Sequence, residues 1–64
     1  MQAELKLLRL PSVLDRSGLS RSETYRRMAL GEFPKPVSIG RRAVAWPEHL
    51  VSKWIAERIA EGSR

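Results

Sequence analysis

The chain has 64 residues, a net charge of +5, 30% charged residues and no cysteine. That length predicts one domain spanning 1–64 with a modest core, and the missing cysteines exclude a disulfide framework and a thiolate metal site. No apolar run approaches the roughly 20 residues of a membrane span and no secretory pattern opens the chain, so the composition points to a soluble, cytoplasmic protein.

Residues 1–6 are polar and expected to fray. Leu7, Leu8 and Leu10, with Arg9 among them, suit a short extended segment whose leucines pack on the core as an edge strand. Pro11 fits the first turn of a helix, where the donor it lacks would be unpaired anyway. The helix runs on through Arg16 and stops before Gly18, with Val13 and Leu14 as its apolar face. About two turns of helix hold only by packing on something else. Gly18 and Leu19 then make a tight turn, with Leu19 between two helices.

A second helix is predicted over 21–30. Ser20 offers a capping hydroxyl, and Glu23 stands three residues later, which is the form of a capping box. Gly31 is placed to end the helix in the left-handed conformation. Three- and four-residue spacing groups Thr24, Tyr25 and Met28 on a face assigned to the core. Ser22, Glu23, Arg26 and Leu30 fall opposite, with Arg27 at the edge and Arg21 in the first turn.

Two prolines in Glu32-Phe33-Pro34-Lys35-Pro36 favour an extended path, which Phe33 anchors in the core. Val37-Ser38-Ile39 and Ala43-Val44-Ala45-Trp46 suit strands around the turn Gly40-Arg41-Arg42, and so read as a β-hairpin. A lone hairpin is marginal, so Val37, Ile39, Val44 or Trp46 must pack against helices. Pro47 opens the last helix, and Glu48 suits its positive end. Leu50, Val51, Trp54, Ile55 and Ile59 form the apolar stripe of that helix, which ends near Gly62, with Lys53, Glu57 and Arg58 on the other side. The fold class is mostly α with a small β-hairpin: a winged helix-turn-helix with a hairpin wing and a C-terminal helix.

The charge is unevenly spread. Between Arg21 and Arg42 there are six basic and two acidic residues, so that third carries +4 of the +5. This is the footprint of a polyanion-binding surface, and a DNA-reading helix is what a short capped helix bearing arginines after a tight turn provides. Arg26, on the outward face, is the candidate for two parallel hydrogen bonds to guanine O6 and N7. Ser22 can reach a base edge or a phosphate, and Arg21 and Arg27 suit phosphates. Glu23 is either the capping-box partner or an acceptor for cytosine N4. Tyr25 is assigned to the core with its hydroxyl near a phosphate. Lys35, Arg41 and Arg42 form a second patch, a wing set near the phosphates. For each basic side chain the plain alternative is a solvated surface residue.

Nothing suggests catalysis. His49 is the sole histidine, the serines have no base partner at recognisable spacing, and there is no glycine-rich phosphate loop. The expectation is no enzyme activity, no catalytic residue, no metal and no cofactor.

The stretch GLSRSETYRRMALGEFPKPVSIGRRAVAW, followed by a helix carrying Lys53-Trp54-Ile55, resembles the AlpA-like regulators of prophages and integrated elements. These sit within a wider group of MerR-like winged helix-turn-helix proteins that includes phage excisionases. The resemblance covers about 8–58. It rests on a combination: the Gly-Leu-Ser-Arg-Ser turn and cap, Tyr25-Arg26, Gly31 with Phe33-Pro34, Pro36-Val37, and Gly40-Arg41 leading to Trp46. It implies a recognition helix over 21–30 in the major groove and a wing over 40–42 on the adjacent backbone or minor groove. Glu23-Thr24 departs from the threonine and aliphatic residue often found there, and places a negative charge on the reading helix. The function expected is a transcriptional regulator of a prophage or integrated element, bound to double-stranded DNA in several copies. The alternatives are an excision factor assisting an integrase, and a protein-interaction module using its basic face on an acidic partner.

Overall fold

A computed structural model describes residues 5–63. The elements in order are β1 (Leu7–Leu8), α1 (Leu10–Ser17), α2 (Arg21–Ala29), β2 (Val37–Gly40), β3 (Ala43–Pro47) and α3 (Glu48–Gly62). The strands form one antiparallel sheet in the order β1-β3-β2. Mostly helical, with a hairpin between the second and third helices, the chain is a winged helix-turn-helix.

Each helix ends where its sequence says it should. Pro11 lies in the first turn of α1, and Gly18 closes that helix at φ 77°, its N–H bonded to the Leu14 carbonyl at 2.9 Å. The Ser20 hydroxyl accepts the Glu23 N–H at 3.1 Å, capping α2. Gly31, at φ 75°, ends α2. Its N–H bonds to the Met28 carbonyl, while the N–H of Glu32 bonds to that of Arg27. This paired arrangement satisfies carbonyls the helix would otherwise leave open. A Cβ at Gly18 or Gly31 would meet nothing within 4 Å, so the backbone angle and not space requires glycine.

The core is Leu8, Val13, Phe33, Trp46, Val51 and Trp54, with Leu10, Leu19, Met28 and Ile55 packed around it. Both tryptophans also find polar partners in one segment. Trp54 Nε1 donates to the Glu32 carbonyl at 2.8 Å and Trp46 Nε1 to the Pro34 carbonyl at 3.0 Å. Between those carbonyls Phe33 turns inward and meets the Trp54 ring edge-on at 4.9 Å. The Arg16 guanidinium bridges α1 to the start of α3, at 2.7 Å from Glu48 and 3.0 Å from the Ser52 hydroxyl.

Several expectations need correction. The strand at the start holds only Leu7 and Leu8, and Leu10 opens α1 instead. Only Leu8 of that pair is buried; Leu7 is 48% exposed. Of the expected fraying over 1–6, Met1–Glu4 lies outside the described residues, and Lys6 is tied down, its carbonyl accepting the Glu48 N–H at 2.8 Å. Tyr25 is exposed. The α2 face that reaches the core is Thr24 and Met28, with the Thr24 hydroxyl satisfied by the Ser20 carbonyl at 2.9 Å. The hairpin does pack inward as expected, through Trp46, with Ala45 buried beside it and Val37, Ile39 and Val44 left exposed. Leu50 and Ile59 also stay outside, because α3 spends its inner face on Val51, Trp54 and Ile55. Pro47 ends β3 and caps α3 from outside. Arg58 folds back, its guanidinium 5.1 Å from the centre of the Trp54 ring.

Truncating Trp54 removes the packing under both Phe33 and α3. Trp54→Ala should cost about 3–5 kcal/mol of stability, read as a loss of thermal and urea resistance. Trp54→Phe, which keeps an aromatic ring but not the donor to Glu32, should cost less. A melting curve unchanged by Trp54→Ala would remove this residue from the core.

Candidate nucleic-acid interface

Helix α2 follows α1 after the three residues Gly18, Leu19 and Ser20, and its exposed side carries Arg21, Ser22, Tyr25 and Arg26. The buried Thr24 and half-buried Met28 fix which side that is. Arg21 has no ion-pair partner among the described residues. The Ser22 hydroxyl lies 3.5 Å from that of Ser20.

The centre of this helix is an ion triad. Glu23 Oε1 accepts Arg26 Nε at 3.0 Å, and Glu23 Oε2 accepts Arg26 Nη2 at 2.6 Å. Oε2 also accepts Arg27 Nε at 2.7 Å. Only half of the expected capping box forms. The Ser20 hydroxyl takes the Glu23 N–H, but the Glu23 carboxylate turns forward along the helix to the arginines, not back to the Ser20 N–H. The reason is spacing: positions three and four residues on lie beside Glu23, and charge-assisted bonds to guanidinium outweigh a neutral N–H. Hydrogen bonds from Arg26, then from Arg27, lower the Glu23 carboxyl from an ordinary 4.5 to about 2, with desolvation opposing them. The same bond to Glu23 raises the Arg26 guanidinium.

The two arginines differ in setting. The Arg26 side chain is 57% exposed, whereas Arg27 is 29% exposed and its guanidinium lies 5.8 Å from the Trp54 ring centre. Spacing along α2 reveals the pairing of Glu23 with both arginines, but not the approach of Arg27 to an aromatic on another helix.

The wing brings Arg41 and Arg42 to the hairpin turn, both exposed. Arg42 has φ 58° and is the one described non-glycine residue in the left-handed region. A side chain there costs roughly 1–2 kcal/mol, and the strand pairing on both sides of the turn holds it in place. Lys35 is exposed between the two prolines that lead into β2. His49, exposed near the start of α3, gathers no cluster; no group of three or more His, Asp or Glu among the described residues is placed to hold a metal ion. No helix among them is long and apolar enough to cross a membrane.

A helix-turn-helix with an arginine-bearing second helix and a basic hairpin defines the winged helix-turn-helix class. Within it, the profile of the family described as "Prophage CP4-57 regulatory protein (AlpA)" matches residues 6–59, and the chain belongs to that family. It is 46% identical over 59 residues to the uncharacterized protein ORF88 of Enterobacteria phage P4, a match spanning 92% of this chain and 67% of that relative. It is 27% identical over 63 residues to the DNA-binding transcriptional activator AlpA of Escherichia coli strain K12, spanning 89% of this chain and 90% of that one.

Two measurements check this geometry. A carboxyl-detected NMR titration should place Glu23 near pH 2. Because its pKa is depressed on folding, the stabilisation it provides is complete above about 4.5 and is lost as pH falls toward 2. An ordinary value would mean the triad is open in solution. Separately, Arg42→Gly should relieve the left-handed strain and raise stability by about 1 kcal/mol, seen as a higher Tm. A lower Tm would show that the turn is not strained.

Proposed function

We propose that the chain is a sequence-specific DNA-binding transcriptional regulator of a prophage or integrated element, with α2 in the major groove and the wing at 40–42 on the adjacent backbone or minor groove. The observation that carries this reading is the capped helix α2. Its inner side is locked to the core by Thr24 and Met28, and its outer side offers Arg21, Ser22 and Arg26. Family membership and the name of the Escherichia coli relative support regulation of transcription over assistance to an integrase. Arg26 is the base reader. Arg21, Lys35, Arg41 and Arg42 hold phosphates, with Arg27 at the margin. The protein works in the cytoplasm without catalysing a reaction, on the nucleoid when bound, and several copies side by side provide useful specificity. Footprinting across the neighbourhood of its own gene locates the preferred site. Protection over a promoter is the expected result, and protection confined to an attachment site would favour the excision role.

Salt dependence tests the electrostatic part. Neutralising on the order of 4–6 phosphates predicts a slope of log K against log salt of roughly −4 to −5. Replacing Arg41 and Arg42 together by alanine should weaken binding to all sequences nearly equally and reduce the slope by about one to two. Arg26→Ala should cost about 1–3 kcal/mol on the preferred site and flatten preference at one or two base pairs. If the wing variant loses preference while Arg26→Ala keeps it, reader and clamp are reversed. If neither changes DNA binding, an acidic protein partner becomes the better reading.

A further inference from the structure

We propose that Glu23 is a positioning residue for base reading: it grips Arg26 by one edge of the guanidinium and leaves the opposite edge ready for a guanine. This rests on the reading of α2 as the recognition helix.

The atoms used are the reason. A guanidinium has five N–H donors arranged along two forked edges. Arg26 gives Nε and Nη2, its side edge, to the two oxygens of Glu23. The outer edge, formed by Nη1 and the second hydrogen of Nη2, makes no bond to the described residues, and the side chain is more than half exposed. That outer edge is the fork that matches guanine O6 and N7. Carboxylate and base therefore do not compete for the same hydrogens.

The carboxylate is itself held. Oε2 also takes Arg27 Nε, and Arg27 rests near the Trp54 ring of the core. A continuous brace thus runs from Trp54 through Arg27 and Glu23 to Arg26. A long arginine side chain ordinarily loses much rotamer freedom when it binds. Here part of that freedom is removed before DNA arrives, and the plane of the fork is fixed relative to the helix. With three donors already on its two oxygens, Glu23 is poorly placed to accept from cytosine N4.

Glu23 also brings a negative charge toward the phosphates, so it opposes binding to DNA of any sequence. The two effects act on different quantities: charge lowers affinity everywhere, whereas positioning raises the ratio of preferred to scrambled DNA. The α2 cap uses only the backbone N–H of Glu23, so substitution leaves it in place.

The test is a double-mutant cycle of Glu23→Gln, Glu23→Ala and Arg26→Ala, with affinity measured on the preferred site and on scrambled DNA at one salt concentration. Melting curves check folding. The Arg26 Nε–H resonance of the free protein reports the brace and should lose its exchange protection in Glu23→Ala and keep part of it in Glu23→Gln, whose amide oxygen still accepts. Glu23→Ala should raise affinity for scrambled DNA yet lower the preferred-to-scrambled ratio about tenfold, with Glu23→Gln intermediate. Added to Arg26→Ala, neither should lower the ratio further. If the Glu23 variants bind both DNAs more tightly with an unchanged ratio while Arg26→Ala lowers it, Arg26 reads unaided and the inference fails alone. A Glu23 effect that persists without Arg26 would mean direct base contact by Glu23, which also overturns it. If Arg26→Ala leaves the ratio unchanged, the recognition-helix reading fails and takes this inference with it.

Discussion

The short crossing from α2 to the hairpin is held by two tryptophans, and the rest of the structure depends on that hold. Trp54 bonds the Glu32 carbonyl, Trp46 bonds the Pro34 carbonyl, and Phe33 is buried between them. A proline-rich crossing forms no ladder of its own, so its backbone groups need partners supplied from elsewhere. Here they come from residues that also make up much of the apolar core. The same contacts that stabilise the domain therefore set the angle between the helix and the wing. That angle matters to the proposed function, in which helix and wing would meet one duplex together.

Trp54 has a second role through its surroundings. Phe33 meets it edge-on, while the guanidinium groups of Arg27 and Arg58 lie within 6 Å of the ring centre. The ring is thus where the apolar interior meets the basic edges of α2 and α3. Arg27 gains from this position what an exposed ion pair alone would lack, since surface pairs contribute little on their own. It also explains why Arg27 and Arg26, neighbours in sequence, differ so much in exposure.

Much of this was legible in the residues. Ser20, Gly18, Gly31, the paired prolines and the hairpin turn each act through local chemistry, so their effects survive in any tertiary setting. Trp54 and Val51 follow from the spacing on a long helix. Faces of short helices were harder. On the nine residues of α2, spacing groups Tyr25 with Thr24 and Met28 on the core face, yet Tyr25 turns out to be exposed. Thr24 is buried because its hydroxyl can bond back to the Ser20 carbonyl. Hydrophobicity also overfilled the inner face of α3: a chain this small has no room for Leu50 and Ile59 beside Val51 and Trp54. For the candidate interface, the residue types and the helix were legible; the spacing of Glu23 to Arg26 and Arg27 permits the triad, but the capping-box pattern pointed the carboxylate back to Ser20 instead. The triad's tether to α3 was not legible, because only folding brings those two helices together.

The pairing of β1 with β3 sets the order in which the protein can form during synthesis. Leu8 lies opposite Trp46, and the Lys6 carbonyl waits for the N–H of Glu48. Val51 and Trp54 emerge from the ribosome later still. Until they do, Leu8, Val13, Phe33 and Trp46 have been made, but the core they share with Val51 and Trp54 is incomplete. The arginine-bearing helix is therefore present on the nascent chain well before it is held in shape. The core closes only when α3 supplies Val51 and Trp54.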